Sequence, residues 1–210
     1  MQVIAIDGPA GSGKSTVAKA VAARLGLAYL DTGAMYRAVA FAALSGGLNL
    51  ADADAVLAVA QTLDLQLDQS SCVVNGVDAT EAIRGTEVTQ AVSVVAALPA
   101  VRAEMVQRQR QWAQDRNGGV MEGRDIGSVV FPDAALKIYL TASEEVRAQR
   151  RAAEAGGEDV AAVAADLGRR DEVDSQRKAS PLVEAEGSVV VDTSAMTIDQ
   201  VVDHVVGLLK

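Results

Sequence analysis

Gly8-Pro9-Ala10-Gly11-Ser12-Gly13-Lys14-Ser15-Thr16 directly follows the apolar run Val3-Ile4-Ala5-Ile6 and Asp7. The stretch fits the spacing G-x-x-x-x-G-K-[ST] without a gap. Such spacing can arise in any glycine-rich chain, so its flanks decide what it means. Upstream, the short β-branched run has the composition of a buried strand. Downstream, Val17, Ala20, Val21, Ala23 and Leu25 recur at helical spacing. In a strand, glycine loop and helix, successive backbone N–H groups turn toward one concave point. The helix aims its positive end there, and Lys14 adds a mobile cation. Gly8 through Thr16 are therefore expected to hold a nucleoside triphosphate, with the Ser15 hydroxyl on the Mg2+ that travels with it. The competing possibility is a tight strand-to-helix turn with a solvated lysine.

Working outward, composition bounds what this loop can serve. The chain has 210 residues, half of them hydrophobic but only 3% aromatic, so its core is packed from small side chains. That length suits one domain, residues 1–210, with an insertion or two. A net charge of -9 argues against a binder of polymeric nucleic acid, which needs a basic surface. It leaves room for a small anion in a local arginine cluster. Cys72 is the single cysteine, which excludes an intrachain disulfide and a multi-cysteine metal centre. Asp7 and the glycine loop interrupt any leader-like start, and no run approaches the roughly eighteen apolar residues that span a membrane. The expectation is a cytoplasmic protein without a membrane partner.

Beyond the first helix, Leu27 to Leu30 form a second short strand ending at Asp31-Thr32-Gly33. A helix follows from Ala34 to Leu44 and stops at Gly46-Gly47. An acidic residue and a hydroxyl at a strand's carboxyl end, with Arg37 within two turns, mark a second ligand shelf. Asp31 itself suits either metal water and Thr32 or a structural turn. After a helix from Asp52 to Leu63 the period changes. Leu63, Leu65 and Leu67 alternate with polar residues, and Asn75-Gly76 between apolar pairs signals a hairpin. This small antiparallel unit belongs to an insertion covering a substrate pocket, closed by a helix from Glu87 to Ala97 that carries Ser93. Pro99 opens the next helix, which bears Arg102.

Val120-Met121 make a third core strand running into Glu122-Gly123-Arg124-Asp125, and Ala134 to Leu140 make the fourth. Ser143 is placed to cap the helix from Glu144. A helix from Ala161 to Leu167 leads into the polar run Arg169 to Lys178, which offers few anchors to a core and has the character of a mobile cover. Its alternative is a solvated helix laced by i,i+4 charge pairs worth only tenths of a kcal/mol each. Val189 to Asp192 form the fifth strand, and Thr197 with Gln200 has capping-box spacing. Five apolar strands separated by helices predict an α/β fold, a five-stranded parallel sheet covered on both faces. Right-handed crossovers would gather the glycine loop, Asp31-Thr32, Arg124-Asp125 and Thr141 at one sheet edge.

A phosphate loop alone does not separate a motor, a GTPase, an ATPase and a small-molecule kinase. No N-K-x-D guanine signature is present, and the third strand continues from Glu122 into Gly-Arg-Asp, an anion-binding sequence. That favours a phosphorylated second substrate, with Arg37, Arg102, Arg124, Arg170 and Arg177 as charge partners. His204, remote from these blocks, is expected to be structural or solvent-facing.

The chain resembles the bacterial cytidylate kinases, of the nucleoside monophosphate kinase group of P-loop proteins. The likeness rests on Leu30-Asp31-Thr32-Gly33-Ala34-Met35-Tyr36-Arg37, Val101-Arg102, Glu122 through Ala134, and Asp171 through Arg177. It implies transfer of the ATP γ-phosphoryl group to CMP and dCMP with Mg2+, by a monomer acting on small nucleotides. It also implies an NMP-binding insertion near residues 60–98 and a lid near 156–180. By the same resemblance, Arg37 and Arg124 would hold the acceptor phosphate, and Ser93, Arg102 and Asp125 would meet the cytosine. Thr32 would sit at the acceptor mouth. Arg170 and Arg177 would approach the phosphates, with Asp174 near the sugar. Val173 stands where many relatives carry another arginine, so the lid's anion-binding capacity is distributed differently here. The rivals are a related P-loop kinase for AMP, shikimate or gluconate, and a noncatalytic nucleotide-dependent interaction module.

Overall fold

The computed structural model describes residues 1–154, 156–157 and 159–209; Ala155, Lys210 and Glu158, the last within the expected lid, lie outside the described residues. The chain divides into two compact units, Met1–Tyr29 with Arg116–Lys210, and Leu30–Asp115. The expected α/β architecture is present. A five-stranded sheet has the order β2-β6-β1-β7-β8, built from β1 (Gln2–Asp7), β2 (Tyr29–Asp31), β6 (Gly118–Gly123), β7 (Leu136–Thr141) and β8 (Val189–Asp192).

In the first unit, β1 pairs in parallel with β6 on one side and β7 on the other, in register Ile4↔Val120 and Ile4↔Leu136. β8 joins β7 in parallel with Thr141↔Asp192. Parallel pairing places Asp7, Gly123, Thr141 and Asp192 at the carboxyl ends of their strands along one edge. β6 is buried at every position, as a strand covered on both faces must be. On one face, Ile4, Ile6, Val120, Ile138 and Leu140 pack against Val17 and Val21 of α1 (Lys14–Leu25) and Val201 and Val205 of α8 (Ile198–Gly207). Each such side chain, fully buried, contributes about 1.5–3 kcal/mol relative to exposure. The capping box opening α8 is formed reciprocally: Gln200 N–H donates to Thr197 Oγ1 at 3.3 Å, and Thr197 N–H to the Gln200 side chain at 2.9 Å.

Two elements of this unit depart from the pattern read along the chain. After β6, Ile126–Val130 form a single π-helical turn, with Val130 N–H reaching Asp125 O and Phe131 N–H reaching Ile126 O. Beyond α6 (Glu144–Glu154), α7 runs from Val160–Gln176, through most of the polar run that follows Leu167. Val163 and Leu167 anchor α7 against Ala148 and Ala152 of α6 and Ala10 of the glycine loop. The polar run finds its remaining anchors in charge, since Asp174 is buried between arginines.

The second unit comprises α2 (Thr32–Ser45), α3 (Ala53–Thr62), β3 (Leu65–Leu67), β4 (Cys72–Val74), β5 (Val77–Asp78), α4 (Thr86–Ala97) and α5 (Pro99–Asp115). A 3-10 turn at Ala82–Arg84 precedes α4. The three short strands form an antiparallel sheet in the order β3-β4-β5. Asn75 and Gly76 both take positive φ, 51° and 80°, as the hairpin signal requires. α2 begins two residues earlier than its apolar spacing predicts, because the Asp31 side chain accepts Ala34 N–H at 2.9 Å and caps it. Among the described residues, no helix is long and apolar enough to cross a membrane.

Candidate active site

The glycine loop joins β1 to α1 in the first unit. Gly8 has φ +148°, and a Cβ built there would lie 2.0 Å from the Leu140 carbonyl oxygen, so only glycine passes. Gly13 is the N-cap of α1 in the left-handed region, φ 88°, and supplies no side-chain cap. The first N–H groups of α1 are therefore left to an anion, and they carry the positive end of the helix dipole. Ser15 and Thr16 are exposed in that first turn.

Lys14 is buried, 6% exposed, and bends back over the loop to donate to Pro9 O at 2.7 Å. Its ammonium is also 3.4 Å from Ser12 Oγ. Burial first, and the Arg124 guanidinium second, bring its pKa down to about 7, against partial support from Glu122, Asp7 and Asp171. Arg124 itself keeps its charge. Burial opposes it, but Asp174, with help from Asp171 and Glu122, holds its pKa above the usual value. Arg124 Nε donates to Asp174 Oδ2 at 2.9 Å, and Arg177 approaches the other oxygen of the same carboxylate at 3.3 Å. Arg170 is pushed down by burial and then by Arg124, and its buried Nε has no hydrogen-bond partner among the described residues. Lys14, Arg124, Arg170, Arg177 and Asp174 thus belong to one electrostatic cluster.

Four further charged groups brace the loop and its surroundings. Asp171 of α7 accepts Ala10 N–H at 3.1 Å, while Arg147 of α6 donates to Ala10 O at 2.9 Å and pairs with Asp171. Arg150 donates to both the hydroxyl and carbonyl of Thr193, each at 2.9 Å. Asp7 is 4% exposed and accepts N–H bonds from Ile126 and Gly127 at 2.9 and 2.8 Å. Its pKa is pushed up to about 6 by burial, against those two bonds. Asp125, which follows Arg124 in the chain, is buried. At the end of β6, Glu122 accepts the Tyr29 hydroxyl at 2.5 Å.

The remaining expected residues lie in the second unit. Thr32 is the first residue of α2 and is buried. One turn on, Arg37 donates to Ile83 O at 2.9 Å and Thr89 Oγ1 at 2.8 Å. Arg102 of α5 is buried, donates to Ala96 O at 3.1 Å and lies 5.2 Å from the centre of the Tyr36 ring. Thr89, Ser93 and Ala96 recur at i, i+4 and i+7 on α4, so one helix face strings together the Arg37 partner, Ser93 and the Arg102 partner. Asp31 serves the turn structurally: it caps α2 and pairs with Arg84 at 3.3 Å.

Thr89 and Tyr36 went unread as site residues, although each stands beside a named one, four residues before Ser93 and one before Arg37. Asp7 carried a signal too, a carboxylate in an otherwise apolar strand. Asp171 opens the block Asp171 through Arg177 that carries the family resemblance, whereas Arg147 has no signal beyond its charge.

The cytidylate kinase family profile matches residues 4–210. A cytidylate kinase of Mycobacterium avium is 50% identical over 216 residues, covering 99% of this chain and 95% of the relative. One from Corynebacterium glutamicum is also 50% identical, covering 99% and 94%. Among solved structures, a gluconokinase from Sinorhizobium meliloti has a TM-score of 0.54 at 16% identity, covering 99% of this chain and 91% of that one. An uncharacterized protein from Eubacterium ventriosum has a TM-score of 0.57 at 12% identity, with 100% and 98% coverage. These two likenesses speak for the fold alone.

Proposed function

Because the chain belongs to the cytidylate kinase family, we infer that it transfers the γ-phosphoryl group of ATP to CMP and dCMP, giving ADP and the nucleoside diphosphate. The observation that carries the chemistry is the crowding of cations around the glycine loop. Burial first, and the neighbouring Arg124 second, lower the proton affinity of both Lys14 and Arg170, and a polyphosphate relieves the repulsive part.

In this reading Gly8, Pro9, Ala10, Gly11, Ser12, Gly13, Lys14, Ser15 and Thr16 bind ATP, with the α1 N–H groups on its phosphates. Lys14 leaves the Pro9 carbonyl for the terminal phosphates. The residues present fit Mg2+: Ser15 offers an exposed hard oxygen, and no group of three or more His, Cys, Asp or Glu among the described residues could form a dedicated cage. A magnesium ion bound mainly through substrate phosphates and water needs no such cage. When bound, it neutralises phosphate oxygens.

The acceptor is served by Thr32, Arg37, Ser93, Arg102, Arg124, Asp125, Asp174 and Arg177. Asp174 acts first as an internal counter-anion for Arg124 and Arg177. Arrival of CMP frees Arg124 for the acceptor phosphate and Asp174 for the sugar. The CMP phosphate oxygen is already a nucleophile, so the protein aligns it in line with the γ-phosphoryl group and compensates charge with Lys14, Arg124, Arg170 and Arg177. Arginine suits the task because its planar donors engage phosphate in pairs and stay protonated. Residues near 60–98 act as the NMP-binding insertion. Those near 156–180 act as a lid that excludes water, so transfer outcompetes hydrolysis. The enzyme works as a cytoplasmic monomer on free nucleotides, with no role for polymeric nucleic acid.

A coupled assay of ADP release across CMP, dCMP, UMP and AMP tests the assignment. CMP-dependent turnover is expected; ADP release indifferent to CMP would end it.

A further inference from the structure

We propose that Asp7 is a positioning residue for the acceptor-phosphate arginine, clamping the Arg124–Gly127 segment to the base of the glycine loop through two backbone N–H groups. The proposal rests on the acceptor role assigned above to Arg124. Asp7 ends β1, pairs in register with Gly123 of β6 and immediately precedes Gly8. Neither neighbour can shift freely: Gly8 already packs against the Leu140 carbonyl, and β6 is buried throughout.

The carboxylate uses both oxygens separately, Oδ1 for Ile126 N–H and Oδ2 for Gly127 N–H. These are the first two residues of the π-helical turn, and Arg124 lies two positions before it. The turn is an irregular stretch whose first N–H groups have no intrahelical acceptor, so the carboxylate supplies both. A wider turn of this kind is otherwise costly to hold, and it often marks a functional site. The charged groups bearing on Asp7 are Lys14 of α1, which favours the carboxylate, and Asp125, which disfavours it. The carboxylate is retained despite a burial that raises its pKa to about 6, as expected of a group needed for two acceptors rather than for filling space.

An amide cannot replace it. An asparagine side chain in the same place would have one oxygen for two donors and would set its own NH2 against the other N–H. The decisive experiment is a double-mutant cycle of Asp7→Asn and Arg124→Ala on the full chain, read as kcat/KM for CMP with ATP affinity measured separately. Asp7→Asn is expected to lower kcat/KM for CMP by about 10- to 100-fold, the effect of a lost charge-assisted bond and an unmet buried donor. In the Arg124→Ala background the same substitution should cost under about threefold, because its target is gone. Affinity for ATP alone should move by less than about threefold in both. Equal losses in the two backgrounds, or equal losses for ATP and CMP, overturn the positioning role. If Arg124→Ala leaves kcat/KM for CMP intact, the acceptor assignment fails on its own account, separately from Asp7.

Should Asp7→Asn not fold, Lys14→Met protein decides, since it removes the other nearby group that titrates near neutrality. The Ile126 and Gly127 amide resonances should then shift together as pH falls from about 8 to about 5, across the pKa of the buried carboxylate, which is about 6 with Lys14 present and rises when that cation is lost. Amides that stay fixed across that range overturn the clamp.

Discussion

Replacing Lys14 by methionine should stabilise the substrate-free protein while destroying its activity. The ammonium's pKa falls from 10.5 to about 7 in its buried site beside Arg124. At about 1.4 kcal/mol per tenfold change in proton affinity, housing this side chain at pH 7 costs about 4 kcal/mol relative to water. Methionine has a similar length and no charge, so that cost disappears. Against it stands the Pro9 carbonyl, which loses the 2.7 Å bond from Nζ and is left to find water or go unmet. An unmet buried acceptor costs roughly 1–3 kcal/mol, leaving a net gain of about 2 kcal/mol. For a chain of this size that is a rise of about 4–8 °C in Tm. Differential scanning calorimetry without nucleotide reads it directly. The pH dependence adds a sharper test. Because the folded pKa lies below the unfolded one, the unfolded chain binds the extra proton between pH 7 and 10.5, and wild-type stability gains relative to the variant as pH rises through that window. The variant's advantage should be full at pH 7 and below, and shrink as pH approaches 10.5. In the same preparation kcat should fall by about 10²–10³-fold or more, the loss typical of a charge-stabilising donor. A variant that melts at or below the wild-type temperature at neutral pH, or whose advantage does not change with pH, refutes the electrostatic account of Lys14.

Arg170→Met should leave the melting temperature of the substrate-free protein unchanged or raised, since its buried Nε has no partner among the described residues and Arg124 repels it. Steady-state kinetics should show kcat lowered by about 100-fold; a large loss of stability would mean that the guanidinium serves the fold. Gly8→Ala drives a Cβ to 2.0 Å from the Leu140 carbonyl oxygen, so the loop must move. A displacement near 1 Å at such a site costs on the order of 100-fold in rate, to be seen as lowered kcat in steady-state kinetics; retained turnover would contradict the steric argument. Thr197→Ala removes half of the capping box that starts α8, far along the chain from the loop. It should cost about 1 kcal/mol, or about 2–4 °C in Tm, with kcat unchanged.

What could be read from the sequence follows the range of the interactions involved. The β1, glycine loop and α1 unit, the Asn75-Gly76 hairpin and the Thr197–Gln200 cap are all settled within a few residues, so their signals are local. The full extent of α7 is not. From Leu167 onward its side chains are mostly polar, and what holds the segment is Asp174 on Arg124, 50 residues away, and Asp171 on Ala10 N–H, 161 residues away. No periodicity encodes a partner at that distance. The π-helical turn after β6 is hidden for the same reason, since the carboxylate that receives its first N–H groups lies 119 and 120 residues earlier.

The two kinds of residue also differ in chemistry. Lys14, Arg124 and Arg170 stand out along the chain as cations inside glycine-containing or polar blocks. Asp7, Asp171 and Asp174 are their counterweights, and without them the cations could not be buried together. A site that must accept a polyanion has to assemble positive charge before its ligand arrives, and like charges at short range in a desolvated site repel. Here the repulsion is offset in two ways. Asp174 and Asp171 supply carboxylates from α7, and Lys14 gives up much of its proton affinity. Arg170 is only partly compensated, by Asp174 and Asp166. In the proposed function the carboxylates on α7 belong to the binding machinery as much as the arginines do, because they set the energy from which substrate binding starts.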